Sequence, residues 1–226
     1  MSKYVEFVGQ YTAGKTSTYT YIVEQDLLKP YVVMHPHLPA YRRVRWHFAV
    51  WVPILAVLQI RQLWFVTWFF LRYAKVVDSS NWHIWYYLVK MVILHPYYER
   101  SFTFDLWLKD DMLHLLPRIV FRPGVDPEEA FARYFVQFAK RYDAVVYVGI
   151  SFSSMQKRIT KRQERKPKPD FAARWQSYRH AYGQHQAMKD MLQQQKHAPL
   201  LVIDGDGDLV ENARTVSDFI RKTVLN

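Results

Sequence analysis

The sequence predicts an α/β protein of three layers, a mostly parallel sheet between helices, carrying an aromatic-rich helical insertion. Two observations lead there. Short apolar runs at 4–8, 31–34, 102–108, 144–150 and 199–203 alternate with longer helical stretches, the pattern of strand–helix–strand units. The run at 144–150 is apolar throughout apart from its tyrosine and glycine, as expected of a strand covered on both faces. The chain has 226 residues, half of them apolar, which suffices for one domain with a full core.

In chain order, residues 4–8 read as a strand and 15–25 as a helix, with a glycine-bounded turn between them. Residues 31–34 suit a second strand, leading into a proline-containing loop at 35–39. From 42 to 98 Trp, Phe, Tyr, Leu and Val dominate, with helices expected near 44–58, 60–75 and 81–94. The richest part, 48–71, has the length of a membrane span, but Gln59, Arg61 and Gln62 interrupt it. Two readings of 42–98 follow: helices packed all round inside the domain or a dimer, or a tryptophan-rich surface lying against a bilayer.

The third strand is expected at 102–108, ending at Asp110-Asp111, with a short helix over 112–116. Asp126 as a cap and Pro127 in the first turn start a helix running to about 141. A basic helix over 151–165 follows the strand at 144–150 and must break at Lys166-Pro167-Lys168-Pro169. A long helix over 171–196, a last buried strand at 199–203 and an amphipathic helix over 209–224 complete the chain.

Composition removes several chemistries. There is no cysteine, so disulfides, thiolate metal sites and cysteine nucleophiles are excluded. The first residues pass directly into the first strand without the basic, apolar and small-residue order of a secretion signal. The expected location is cytoplasmic, with the inner face of a membrane open as a peripheral site. A net charge of +11 attracts nucleotides, nucleic acids and anionic lipids alike. No nucleic-acid-binding motif accompanies it, so a sequence-specific nucleic-acid partner is not expected.

Gly9-Gln10-Tyr11-Thr12-Ala13-Gly14-Lys15-Thr16 fits the phosphate-loop pattern G-x-x-x-x-G-K-[ST] without a mismatch, between strand and helix as the motif requires. Its glycines let backbone N–H groups curl around phosphates, and the helix start adds the positive end of its dipole. Residues 9–17, Ser17 included, are therefore the expected nucleotide-binding segment. Lys15 reaches for the β- and γ-phosphates, and the Thr16 hydroxyl supplies an oxygen to Mg²⁺.

An acidic group at the end of a neighbouring strand is expected to orient the metal or accept the acceptor's proton. Asp110 and Asp111 are the first candidates, with Asp110 as the second metal-side residue; Glu99-Arg100-Ser101 competes. Glu6 reads as an ordinary strand-end residue. Asp204-Gly205-Asp206-Gly207-Asp208 has the spacing that opens a calcium loop, but Thr215 stands where the twelfth-position glutamate belongs, so a turn near the nucleotide base is expected. Arg158 and Arg162, four residues apart, share a helix face with Lys161 and Arg165 nearby. They suit a mobile phosphate clamp within a lid over about 158–170 that includes Lys166-Pro167-Lys168-Pro169, against a solvated basic face or a nucleic-acid surface.

With these residues in order, the chain resembles the nucleoside and nucleotide kinases that carry a phosphate loop, thymidylate-kinase-like proteins in particular. Gly9 to Thr16, the Val145-Val146-Tyr147-Val148 strand followed by Arg158-x-x-x-Arg162, and Leu201-Val202-Ile203-Asp204-Gly205 before a final helix carry the resemblance. It implies a parallel five-stranded core and phosphoryl transfer from ATP with Mg²⁺ to a nucleoside, a nucleoside monophosphate or another small acceptor such as a sugar. Those enzymes carry an Asp-Arg or Glu-Arg pair after the third strand; this chain offers Asp110-Asp111 or Glu99-Arg100. Residues 42–98 stand where their acceptor helices do but are far more aromatic, which opens the way to a hydrophobic, glycan-linked or lipid-linked acceptor. The rival reading is a nucleotide-dependent switch or membrane-associated NTPase using 42–98 for docking; a sulfotransferase is a weaker third.

Overall fold

The computed structural model describes residues 3–34, 54, 57–73, 85–86, 89, 92–93, 103–109, 113, 120–121, 124–139, 142–165 and 171–225. Five strands, β1 (Lys3–Gly9), β2 (Val33–Met34), β3 (Leu106–Lys109), β4 (Ala144–Gly149) and β5 (Leu200–Asp204), form one sheet in the order β2-β3-β1-β4-β5. Every neighbouring pair is parallel. The helices are α1 (Lys15–Glu24), α2 (Ile60–Tyr73), α3 (Pro127–Ala139), α4 (Phe152–Arg165), α5 (Phe171–Gln194) and α6 (Leu209–Thr223).

Alternation along the strands divides the core into two. Val5 and Phe7 of β1, with Ala144, Val146 and Val148 of β4, meet Ile22 of α1, Ile159 of α4 and Val216 and Ile220 of α6. On the opposite face Val8, Val145 and Tyr147 meet Val66, Phe69 and Phe70 of α2, Phe131 of α3, and Met188 and Leu192 of α5. The three-layer α/β architecture and its parallel five-stranded sheet are as the sequence predicts.

Three expectations change. The second and third strands are shorter than their apolar runs, because Asp105 occupies the ladder ahead of them. Its carboxylate accepts from the Val32 amide at 2.8 Å and its own amide donates to the Val32 carbonyl at 2.9 Å. The last strand is not fully buried: β5 sits at the sheet edge and leaves Val202 exposed. Nor is α2 packed all round inside the domain. Val66, Phe69 and Phe70 are buried, whereas Ile60, Trp64, Trp68 and Leu71 are exposed. Of the other helices expected in 42–98, residues 54, 57, 58, 85, 86, 89, 92 and 93 are helical; the rest of those stretches, and 112–116 apart from Leu113, lie outside the described residues. No helix among the described residues is long and apolar enough to cross a membrane.

The start of α3 follows its sequence signal, with the Asp126 carboxylate accepting from the amides of Glu128 and Glu129 at 3.0 and 3.2 Å. Asp208 caps α6 in the same way through Val210 and Glu211.

Candidate functional site

The loop between β1 and α1 lies at the carboxyl end of the central strand, where the crossovers lead to β2 and β3 on one side and to β4 and β5 on the other. That switch point is where open parallel sheets form their ligand crevice. The residue types follow from the backbone path. Gly9 has φ +137°, and a Cβ there would stand 2.0 Å from the Val148 carbonyl oxygen on β4. Gly14 has φ +100° at the helix start and Thr12 has φ 65°. Helix α1 has no side-chain cap and no acidic residue in its first turn, an arrangement that favours an anion at its N-terminus.

Lys15 folds over the loop, its ammonium donating to the carbonyls of Gly9 and Gln10, both at 3.0 Å. Thr16 and Ser17 are exposed on the first turn of α1. The buried Gln10 side chain turns inward and its Oε1 accepts from the Ile150 amide at 3.2 Å, tying the loop to the end of β4.

A second loop, after β5, braces the first. Gly205 lies so close that an added Cβ would be 2.3 Å from the Ala13 carbonyl oxygen. Arg158 of α4 spans the two loops, donating to the Thr12 carbonyl at 3.0 Å and the Gly205 carbonyl at 2.7 Å. Its guanidinium is 3.6 Å from the Asp206 carboxylate. Asp206 also accepts from the Ser151 amide at 2.9 Å. Burial pushes the Asp206 carboxyl up, but the hydrogen bonds from Ser151 and Ser154 and the Arg158 charge outweigh it and leave the group below its ordinary value. Arg162, one turn further along α4, sits over the Tyr11 ring at 5.6 Å, and Tyr11 stacks on Tyr178 of α5 at 4.9 Å. Lys15, Arg158 and Arg162 thus all contact the same loop from two helices.

The Asp204–Asp208 segment is a turn. The Asp204 side chain accepts from the Asp206 amide, its carbonyl accepts from Asn212, and Asp208 caps α6. Among the described residues no cluster of acids or histidines forms a metal cage.

Asp110, Asp111, Glu99 and Arg100 lie outside the described residues. What is described is the residue before Asp110: Lys109 ends β3, level with Glu6 on β1. Glu6 is not an ordinary strand-end residue. It is fully buried in the sheet, and its carboxylate accepts from the Leu113 amide at 2.5 Å. Alternation puts it on the α2 side. Lys109 is also buried, with its ammonium 5.0 to 5.6 Å from the rings of Tyr4, Trp107 and Tyr142, a cation–π setting.

Sequence reasoning missed Glu6, Lys109, the Gln10 bridge and the Tyr11–Tyr178 stack. A charged residue at an inward position of an otherwise apolar strand signals Glu6; nothing local signals the others.

No protein-family model matches the sequence, and no curated protein matches it. Solved structures of deoxyadenosine kinase from M. mycoides are similar to this chain at 12–13% identity, covering 96–97% of it and 98–99% of their own length. With bound dATP the TM-score is 0.45, with the products dCMP and a flexible dCDP it is 0.48, and with bound dCTP it is 0.44.

Proposed function

We propose that this protein is an ATP- and Mg²⁺-dependent phosphotransferase acting on a small-molecule acceptor, a nucleoside, nucleoside monophosphate or sugar. The observation that carries the reading is the convergence of Lys15, Arg158 and Arg162 on one glycine-bounded loop at the head of an uncapped helix.

Carbonyl-bound cations of this kind exchange their partners readily. When triphosphate oxygens enter the loop, Lys15 moves from the Gly9 and Gln10 carbonyls to the β- and γ-phosphates, and the first-turn amides of α1 bind the oxygens beside it. Arg158 and Arg162 lie on one face of α4 and neutralise charge that builds on the transferring group, which lowers the barrier more than it tightens binding. The hydroxyl of Thr16, an exposed residue, accepts a long hydrogen bond from the Tyr19 hydroxyl at 3.4 Å and fits a metal that takes few protein ligands and keeps its waters. Thr16, with Asp110 as the second protein group, would hold Mg²⁺, which would supply charge neutralisation to the triphosphate. Asp111 or Asp110 takes the acceptor's hydroxyl proton. A cytoplasmic location suits a consumer of Mg-ATP.

The exposed apolar face of α2 favours a second reading, a nucleotide-dependent switch that docks through this region. Acceptor dependence separates the two. Thermal stabilisation by Mg-ATP and Mg-GTP, with ADP release recorded against a panel of nucleosides, nucleoside monophosphates and sugars, is the deciding experiment. ADP release that rises with one acceptor class establishes the kinase; nucleotide binding with no acceptor effect favours the switch. Lys15→Ala removes the nucleotide-dependent stabilisation, and a variant stabilised as well as the wild type overturns the loop assignment.

A further inference from the structure

Helix α2 presents two faces. Residues Val66, Phe69 and Phe70 enter the core, and Trp85 anchors the helix by donating its indole N–H to the Thr67 hydroxyl at 3.2 Å. The other face carries Val57 just before the helix, then Ile60, Trp64, Trp68 and Leu71, all exposed, with Trp64 at 74%. Their spacing of three and four residues makes one continuous stripe about 21 Å long at 1.5 Å per residue. The flanking charges are Arg61 and Arg72, both exposed, and the Arg72 guanidinium lies 5.9 Å from the Trp68 ring.

Charge decides what such a stripe fits. Residues 27–77 contain no Asp or Glu, but they contain Lys29, Arg42, Arg43, Arg45, Arg61, Arg72 and Lys75. A second copy of the same stretch brings like charges together and offers no carboxylate from within residues 27–77 to receive them. An anionic lipid surface offers phosphate and carboxylate oxygens to the arginines and an acyl boundary to the indoles, whose amphipathic rings favour that depth. The helix is too short and too charged at its ends to span, and among the described residues none is a candidate span.

We propose that the exposed face of α2 docks the protein in the plane of an anionic membrane surface, with Trp64 and Trp68 at the acyl boundary and Arg61 and Arg72 at the headgroups. The attachment is reversible and weakens with salt, because part of its strength is screened charge. It does not depend on the phosphotransfer reading, since none of the observations behind it involves the phosphate loop.

The test is flotation of the full chain with vesicles of phosphatidylcholine alone and of phosphatidylcholine with 30% phosphatidylserine, at 0.1 and 0.5 M salt. The expected result is flotation with the anionic vesicles at 0.1 M, at least tenfold less with the zwitterionic ones, and loss of most binding at 0.5 M. Trp64→Ser with Trp68→Ser lowers anionic-vesicle binding at least tenfold, and so does Arg61→Glu with Arg72→Glu. An unchanged thermal transition certifies the fold of each variant, and if the tryptophan pair fails that check the arginine pair alone decides. Absence of flotation, flotation that the folded variants retain, or a lipid-free dimer that the same substitutions dissociate overturns the proposal; the last outcome assigns the stripe to a second copy.

Discussion

Replacing Gly205 by alanine puts a single methyl group at the seam between the two loops of the site. The added carbon would lie 2.3 Å from the Ala13 carbonyl oxygen, 2.6 Å from Ile150 Cγ2 and 2.9 Å from the Gly149 carbonyl oxygen. Two of these neighbours are backbone and cannot rotate away, and the third belongs to a buried β-branched side chain with few alternative rotamers. Restoring ordinary contact, which starts at 3.4 Å, therefore needs a separation of roughly 1 Å between the loops. Overpacking of this kind costs about 1–3 kcal/mol, and at about 2–4 °C per kcal/mol for a chain of this size the melting temperature falls by roughly 2–12 °C. The same shift moves the phosphate loop, and a misplacement of about 1 Å can cost on the order of 10²-fold in a reacting geometry. Nucleotide-dependent stabilisation should therefore shrink by more than the loss of stability alone accounts for. Gly183 in α5 is the control: no atom lies within 4 Å of its added Cβ. Gly183→Ala should stabilise by about 0.5–1 kcal/mol through the lower entropy of the unfolded chain and better helix propensity. Both are read by thermal melts with and without Mg-ATP. A Gly205→Ala protein that melts with the wild type and binds nucleotide equally well would refute the packing of the two loops.

Arg158→Ala should lower turnover more than nucleotide affinity, since its charge matters most as phosphate charge develops; lost binding with unchanged turnover contradicts a clamp. Asp206→Ala should destabilise by about 1 kcal/mol at neutral pH through the lost hydrogen bonds from Ser151 and Ser154. Because the Asp206 carboxyl is held below its unfolded value, that stability is present above the ordinary carboxylate range and is lost as pH falls through the folded-state value. Melts of wild type and variant should therefore converge in acid, and a gap that widens there contradicts the assignment.

The phosphate loop was legible because its four fixed positions, Gly9, Gly14, Lys15 and Thr16, carry the pattern, and the positive φ of Gly9 and Gly14 dictates the two glycines locally. The strands were legible from alternating and continuous apolar runs, and the cap at Asp126 from its position; the cap at Asp208 was not read from the sequence. What escaped depends on partners far away in the chain. Whether Gln10 faces solvent or the Ile150 amide is settled only once β4 pairs with β1, and Glu6 became a buried acceptor because a turn near Leu113 reaches it. The length of β2 was misjudged for the same reason, since Asp105, more than seventy positions later, takes the Val32 amide. The two faces of α2 were hidden by its composition, which is aromatic on both sides.

The brace that Gly205 gives to Ala13 has a kinetic side. The loop is synthesised nearly two hundred residues before β5, α6 and the turn between them. Contacts between segments so distant in sequence form slowly, because a long loop must close before any stabilisation is gained. A nascent chain therefore carries its motif long before it has a site, and nucleotide binding should emerge abruptly once the C-terminal strand docks. A translation product stalled before residue 202 would carry the whole signature and have little affinity for the proposed nucleotide.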